Sequence, residues 1–428
     1  MVPLAQALAR RGHMVRIIIP PWDDPAAQSA ARKGDTSVAT PVPTADEGMV
    51  AGVDTVTLQL PGRLPNSIAL TYGLVRQALA PTVPADLPFE SEAERASLRA
   101  LTTFRAEVAH VFKPVGYSGL AGLALSALHV PWVLDVDDWE GAGGFSDRNR
   151  YSQPERASIF LMEALLPRLA RGVTAASRTL EARAWNMGIP RPRVGYMPNG
   201  VWRERYEAWS RYSHNTRPLD MDGSSLPAAI RQQHSLQRGP VILLYTRFAE
   251  FPYRWPLDIL RHVLAQHPDV HMLVVGSGFF NEEEKLRAEA DRMGLGSRVA
   301  ITGRVPEEQL PAYLSTGTVA IYPMADTLLN RAKSPVKVIE PMLMGLPMVA
   351  HRVGQAAEFV GDAGVLVEPG NLDEMARAVS SLLSDRRRRN LLGSMAEQRI
   401  WSRFNWESLS GVAERMYRLA SEPRDDRR

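Results

Sequence analysis

The chain has 428 residues, 45% of them hydrophobic and 23% charged, and its 50 Lys and Arg against 47 Asp and Glu leave a net charge of +3. That length exceeds one ordinary core and implies two domains, while the near balance of charge gives no ground for a nucleic-acid partner. The absence of cysteine excludes disulfides, thiolate metal sites and a cysteine nucleophile; with no apolar run of about 18 residues to span a bilayer and no cleavable leader in MVPLAQALARRGH, we expect a cytoplasmic protein.

The first twelve residues have helical apolar spacing, and HMVRIIIP reads as a buried strand stopped by Pro20 and Pro21. Residues 24–50 lack periodicity and read as a loop. ADLPFESEAERASLRALTTF has a helix pattern, AEVAHVFKP reads as a strand, and VPWVLDVDDWEG is a strand running into carboxylates. A helix over about 154–171 follows, then strand, Ser cap, helix and Gly stop in GVTAASRTLEARAWNMG, and a strand with a turn in RVGYMPNGV. Residues 202–238 are rich in polar, aromatic and turn residues and read as the domain junction. The alternation then resumes with PVILLYTRF, LDILRHVLAQH, HMLVVGSG, NEEEKLRAEADRMG, RVAITG, EEQLPAYLSTG and VAIYPM. KSPVKVIEPMLMGLP, LPMVAH, AGVLVEP, NLDEMARAVSSLLSD and a last helix near 406–420 complete the chain. Strands alternating with helices predict an α/β fold with parallel sheets.

In open parallel sheets ligands bind beyond the carboxyl ends of the strands. Arg247 lies just beyond VILLY and Arg254 in the loop that follows, so both are candidates to clamp phosphate oxygens; surface arginines are the plainer alternative. Gly276 and Gly278 close another strand, but Asn281 replaces the third glycine of a dinucleotide fingerprint, which favours a tight turn. In AKSPVKVIEPMLMGLP, Ser334 is placed to cap a helix and Pro335 to open it, leaving the N–H groups of Val336 and Lys337 as an anion site. An intrahelical pair between Lys337 and Glu340 explains those two charges but not Lys333. Pro341 lacks an N–H for the carbonyl of Lys337, so the helix should be short or kinked and end before Gly345.

Asp135, Asp137, Asp138, Trp139 and Glu140 follow VPWVL, and His110, Lys113 and Tyr117 lie at or beyond the preceding strand. Such carboxylates accept from sugar hydroxyls, serve as a base, bind a divalent metal, or merely cap a turn. His13 and His351 border strands and read as structural, and the run Arg386–Arg389 reads as solvated charge at a helix turn. No P-loop, G-x-S-x-G elbow or H-E-x-x-H motif occurs.

Taken together, LARRGHMVRIIIPP, VTAASRTLEARAWNMGIPRPRVGYMPNGV, YTRF, VVGSG, RVAITGRVPEEQLPAYL, AIYPM, KSPVKVIEPMLMGLPMVA and GVLVEPGNLDEMARAV resemble the retaining glycosyltransferases of family 4. The resemblance implies the GT-B fold, two Rossmann-like domains facing across a cleft. It implies an acceptor-side domain over 1–201, a linker over 202–238, a nucleotide-sugar domain over 239–405, and a helix crossing back with a charged tail over 406–428. The family has a strand and a Gly-rich loop before the helix LAQALARRGH, so the first strand is expected to be missing here.

By resemblance Arg247 holds the donor diphosphate, and Arg254 stands in for a lysine whose place is taken by Pro252. Glu340, the end of the family's E-x7-E motif, binds the ribose; the first Glu falls on Ala332, leaving Ser334 or the backbone to meet the donor sugar. Gly276, Gly278, Lys333, Val336 and Lys337 complete the implied donor set, and Lys113, Tyr117, Asp135 and Trp139 the acceptor side. Asp137 or Asp138 stands where the family has its acceptor-side His, so Arg247, Lys337, Asp137 and Asp138 are the implied catalytic groups. The implied reaction moves a sugar from a UDP- or GDP-sugar to a hydroxyl of a glycan, lipid-linked or small-molecule acceptor, with peripheral membrane contact allowed. It needs no metal, cofactor or protein nucleophile, since a donor phosphate oxygen takes the acceptor proton. The alternative is a non-catalytic sugar-nucleotide-binding protein partnering another transferase.

Overall fold

A computed structural model describes residues 1–19, 48–50, 53–57, 106–149, 151–212, 226–236 and 239–423. The helix expected over residues 85–104 lies outside them, as does most of the loop expected over 24–50. The chain divides into two compact units: Met1–Ala175, Glu181–Met197 and Ser410–Arg428 form the first, and Ala176–Leu180 with Pro198–Leu409 the second.

In the first unit the helix Val2–Arg10 leads into β1 (Arg16–Ile19). β3 (Val53–Thr57) pairs parallel to β1 and antiparallel to β2 (Gly48–Val50). β2 corrects the end of the expected loop: Met49 and Val50 are strand formers, but Gly48 and Gly52 dilute the pattern. A second sheet runs β4 (Ala109–Phe112), β5 (Trp132–Val136), β6 (Gly172–Ala175) and β7 (Val194–Tyr196) in that order, all parallel. β5 is buried along its whole length, as a strand covered on both faces must be. The helix Gln153–Leu169 starts at a capping box of Ser152 and Glu155. From the last helix, Trp406–Ser421, Met416 and Ala420 pack on Val133. Glu414 of that helix takes a two-point bond from Arg11 (2.6 and 2.7 Å) and lies 3.0 Å from His13. That gives His13 the structural part expected of it.

The second unit is a six-stranded parallel sheet of β8 (Val241–Tyr245), β9 (His271–Val275), β10 (Val299–Ile301), β11 (Val319–Tyr322), β12 (Met348–His351) and β13 (Gly364–Val367). Its spatial order is β10-β9-β8-β11-β12-β13. Counted within the unit, this is the doubly wound order that reverses direction between its first and fourth strands, here β8 and β11. Period-two alternation splits the core between the sheet faces. Leu243, Leu273, Ala320 and Ala350 point to the side of the helices Val336–Leu343 and Gly354–Val360. Leu244, Val274, Ile321 and Val349 point to the side of Trp255–Leu264, Glu282–Arg292 and Leu372–Ser384.

One expectation is corrected in this unit, whereas the run Arg386–Arg389 is the mostly exposed charge at a helix turn that its sequence suggests. The stretch 202–238, read as a linker, carries the helices Arg203–Ser210 and Leu226–Gln233, and its Trp209, Ile230 and Leu236 are core residues. Its few apolar residues are large enough to anchor helices that are otherwise polar. The run Arg386–Arg389 opens a helix, Arg386–Arg403, whose first turn Asp385 caps through the N–H of Arg388 at 2.9 Å. Arg389 donates back to the carbonyls of Leu382 and Leu383, closing the preceding helix.

Candidate active site

The carboxyl ends of β8 and β11 gather the charges that the sequence singles out. Beyond β8 the backbone turns at Phe248, whose φ of 59° is unusual for an aromatic residue. The turn is over-determined: the Phe248 N–H donates to the Thr246 hydroxyl at 2.7 Å and its ring is buried with Phe251. Arg247 is thereby left exposed at the strand end. The helix Val336–Leu343 contains Pro341 and ends before Gly345, whose φ is 72°, so it is as short as its proline requires. Its N-cap is Pro335, not Ser334. The Ser334 hydroxyl instead accepts from the Asn199 N–H at 2.8 Å, and the Asn199 side chain donates to the Ser334 carbonyl at 2.7 Å. Without a side-chain cap, the helix start at exposed Val336 keeps its N–H groups for solvent or an anion.

The plainer alternative for Lys337 and Glu340, an ion pair along the helix, does not form; Glu340 pairs with Arg205 instead. The Lys337 ammonium lies 3.6 Å above the centre of the Tyr245 ring. Burial lowers its pKa to about 8; Glu340 and Glu250 support its charge and Arg247 opposes it. Glu340 is buried and pairs with Arg205, which also reaches Glu307. Burial pushes the Glu340 carboxyl upward, while Arg205, Lys337 and the Tyr245 hydroxyl pull it back. Arg205 is the residue that sequence reasoning missed. The only signal for it is its place between Trp202 and Trp209 in a stretch dismissed as linker.

Other expected donor residues have other employment. Lys333 pairs with Glu250 at 3.0 Å, both side chains nearly out of solvent at 12% and 10% exposure. Arg254 sits at the start of the helix Trp255–Leu264, near Asp258 (3.8 Å) and Glu289 (3.4 Å). The Gly276 N–H donates to the Gly303 carbonyl at 2.8 Å, and the Gly278 N–H to Glu283 at 2.8 Å. Gly276 has a φ of 116°, and a Cβ there would lie 2.0 Å from the Thr246 carbonyl oxygen, so no other residue fits against β8. Ala332 is wholly buried and brings no carboxylate. His351 is structural as expected: buried, with Nδ1 accepting from the Met324 N–H at 2.9 Å.

At the carboxyl end of β4 and β5 in the first unit, Lys113 (φ 70°) is another non-glycine residue in the left-handed region. Its N–H donates to the Asp135 carbonyl, and its ammonium lies 3.0 Å from Asp138, 3.2 Å from Glu140 and 3.5 Å from Asp137. Asp137, Asp138 and Glu140 are close enough together, within 4.8 Å, to hold a metal ion; Lys113 is the cation they share. Burial and the nearby Asp138 raise the pKa of Asp137 despite Lys113.

Asp135, expected on the acceptor side, is instead buried at the end of a hydrogen-bond chain. Tyr417 donates to His110 Nδ1 (2.8 Å), His110 Nε2 donates to Thr174 (3.2 Å), and Thr174 donates to Asp135 (2.5 Å). Burial and Asp137 push Asp135 up to about 7, and burial pushes His110 down to about 3, so the imidazole is neutral. Trp139 spends its indole N–H on the Ala142 carbonyl and stacks under Arg183 at 4.1 Å. Tyr117 is half-buried in the first turn of the helix Gly116–Ala127.

Among known proteins, the chain is 28% identical over 243 residues to a GDP-mannose-dependent α-(1-6)-phosphatidylinositol monomannoside mannosyltransferase of Mycolicibacterium smegmatis, a match covering 55% of this chain and 58% of that one. It is 27% identical over 222 residues to a 2-deoxystreptamine glucosyltransferase of Streptomyces kanamyceticus, covering 51% and 52%. The chain thus spans about half the length of the curated relatives it matches. Among solved structures, the Anabaena protein HepE in complex with UDP-glucose superposes with a TM-score of 0.62 at 18% identity, covering 96% of this chain and 93% of that one, which shows the fold. Residues 2–200 match the family model of the glycosyl transferase 4-like domain, and residues 239–385 that of the glycosyl transferases group 1. With both Rossmann-like units of the GT-B class accounted for in this way, the chain belongs to the group 1, family 4-like glycosyltransferases.

Proposed function

We propose that this protein transfers a sugar from a nucleotide-diphosphate donor to an acceptor hydroxyl with retention of configuration. The observation that carries the proposal is the grouping of Arg247, Lys337, the uncapped helix start at Val336 and buried Glu340 at the strand-order reversal of a doubly wound sheet. As the bond from the sugar C1 to the diphosphate breaks, negative charge grows on the leaving oxygens, and fixed donors stabilise it: Arg247, Lys337 and the N–H groups of Val336 and Lys337. Glu340 accepts from the ribose hydroxyls. The acceptor oxygen bonds to C1 on the face the diphosphate leaves, and its proton passes to a phosphate oxygen of the leaving group. Asp137 and Asp138, held by Lys113, are proposed to orient the acceptor hydroxyl, and no resident metal or cofactor enters the scheme. The GDP-mannose dependence in the name of one relative supports GDP- as well as UDP-sugars as donors to test.

The test is incubation with α-linked UDP- and GDP-sugars and a panel of glycan, lipid-linked and small-molecule hydroxyl acceptors, with the product anomer read by proton NMR. An α-linked product is expected, and a β-linked one contradicts retention. Donor binding without any product favours a second reading, a sugar-nucleotide-binding protein without turnover, which the buried, carboxylate-free Ala332 supports.

The pH dependence of donor binding has a definite sign. With its pKa lowered to about 8, Lys337 is charged below that pH and neutral above it. A bound diphosphate raises the pKa, so by linkage affinity is highest below pH 8 and falls by up to about tenfold per pH unit above it. Calorimetry with UDP and GDP from pH 6.5 to 9.5 measures this, and in Lys337→Met the fall is expected to vanish.

A further inference from the structure

We infer that Arg205 is a positioning residue for the nucleotide donor, holding the Glu340 carboxylate in the orientation that meets the ribose hydroxyls. The inference rests on the proposed role of Glu340 and adds a residue on a helix that supplies no other group to the site. The Arg205 guanidinium is clamped between two indoles, 4.0 Å from the centre of the Trp202 ring and 4.8 Å from that of Trp209. Its side chain is only 12% exposed. One nitrogen donates to Glu340 and another to Glu307, so its fork joins the helix Val336–Leu343 to the loop after β10. Stacking fixes the plane of the guanidinium, and the plane fixes which carboxylate oxygen it takes.

The two partners differ in their need of it. Glu307 is 66% exposed and is solvated without Arg205, whereas Glu340 is 4% exposed and is not. Among the described residues, the charged or titratable groups that face Glu340 are Tyr245 from β8, Lys337 from its own helix, Arg205 from Arg203–Ser210 and Glu307 beyond β10. Of the cations, Lys337 is drawn to the Tyr245 ring and loses its charge near pH 8, while a guanidinium keeps its charge at any working pH. Arg205 is therefore the permanent counter-charge of Glu340. Without it a buried carboxyl takes up a proton, donates where it should accept, and is free to rotate.

The experiment compares UDP and GDP with their 2′,3′-dideoxyribose counterparts by calorimetry at pH 7, on the full chain and on Arg205→Gln and Glu340→Gln. The wild type is expected to favour the ribose form by about tenfold or more, since hydrogen bonds to a charged group are lost with the hydroxyls. Arg205→Gln should shrink this preference to within about twofold, leave affinity for the dideoxy form unchanged, and regain part of the preference as the pH is raised and the stranded carboxyl gives up its proton. Loss of the Lys337 charge weakens the phosphate contacts of both forms alike, and the support it withdraws from Glu340 lowers the preference, so a regained preference does not come from Lys337. A purely structural Arg205 would weaken both forms equally and show no recovery with pH. If Arg205→Gln keeps the full preference while Glu340→Gln loses it, the inference falls and the role of Glu340 stands. If the wild type shows no preference, or Glu340→Gln retains it, the ribose role falls and takes the inference with it. Should Arg205→Gln not fold, Arg205→Lys keeps the charge without the fork: an intermediate preference is expected, and an undiminished one overturns the inference.

Discussion

Arg247→Ala is expected to lower nucleoside diphosphate release from the accepted donor by about 10²- to 10³-fold, the usual cost of losing one fixed donor to a developing oxyanion. Arg247 is exposed at the end of β8, and among the described residues no carboxylate is paired with it. The strain of Phe248, about 1–3 kcal/mol for a bulky residue at positive φ, is spent on setting the arginine at that edge. Because the side chain is exposed, the variant should melt within a degree or two of the wild type. Steady-state release measured beside a melting curve separates a lost donor from a lost fold. Wild-type release by Arg247→Ala would remove this residue from the mechanism.

Lys333→Met is expected to act in the opposite way, on stability before chemistry. Glu250 and Lys333 are a nearly buried pair, and the second Glu250 oxygen is already buried without a partner. Removing the lysine leaves a buried carboxylate uncompensated, which costs about 3–5 kcal/mol. For a unit of this size that is a fall in Tm of roughly 6–20 °C. Adding Glu250→Gln should recover most of the loss by removing the stranded charge. The double variant should also still bind UDP or GDP, because the lysine is engaged with Glu250. A double variant that is stable but has lost nucleotide affinity would return Lys333 to the phosphate site, where its place in the sequence had put it.

The contrast between these lysines and arginines marks where sequence reading stops. Strand and helix periods in the second unit were legible because its strands are covered on both faces and read as continuous apolar runs, as in VILLY and HMLVV. The short helix around Pro341 was legible too, since a missing N–H is a local fact. Partner choice was not. That Ser334 serves Asn199 instead of its own helix, that Glu340 pairs with Arg205 and that Lys333 pairs with Glu250 depend on residues 135, 135 and 83 positions apart. The helix Arg203–Ser210 escaped notice because its apolar content lies in a few large side chains, and the missed Arg205 went with it. In the first unit the carboxylate cluster was visible after VPWVL, yet burial took Asp135 out of it and gave it to Thr174. Lys113 joined the cluster from the loop before it.

On this reading a nucleoside diphosphate is held at the carboxyl ends of β8 and β11. A crystal structure of the protein with UDP or GDP bound tests it most directly. The diphosphate is expected within hydrogen-bonding distance of Arg247, Lys337 and the N–H groups at Val336, with the ribose hydroxyls on Glu340 and Arg205 still stacked behind it. A nucleotide bound elsewhere, or one whose phosphates avoid Arg247 and Lys337, would contradict it.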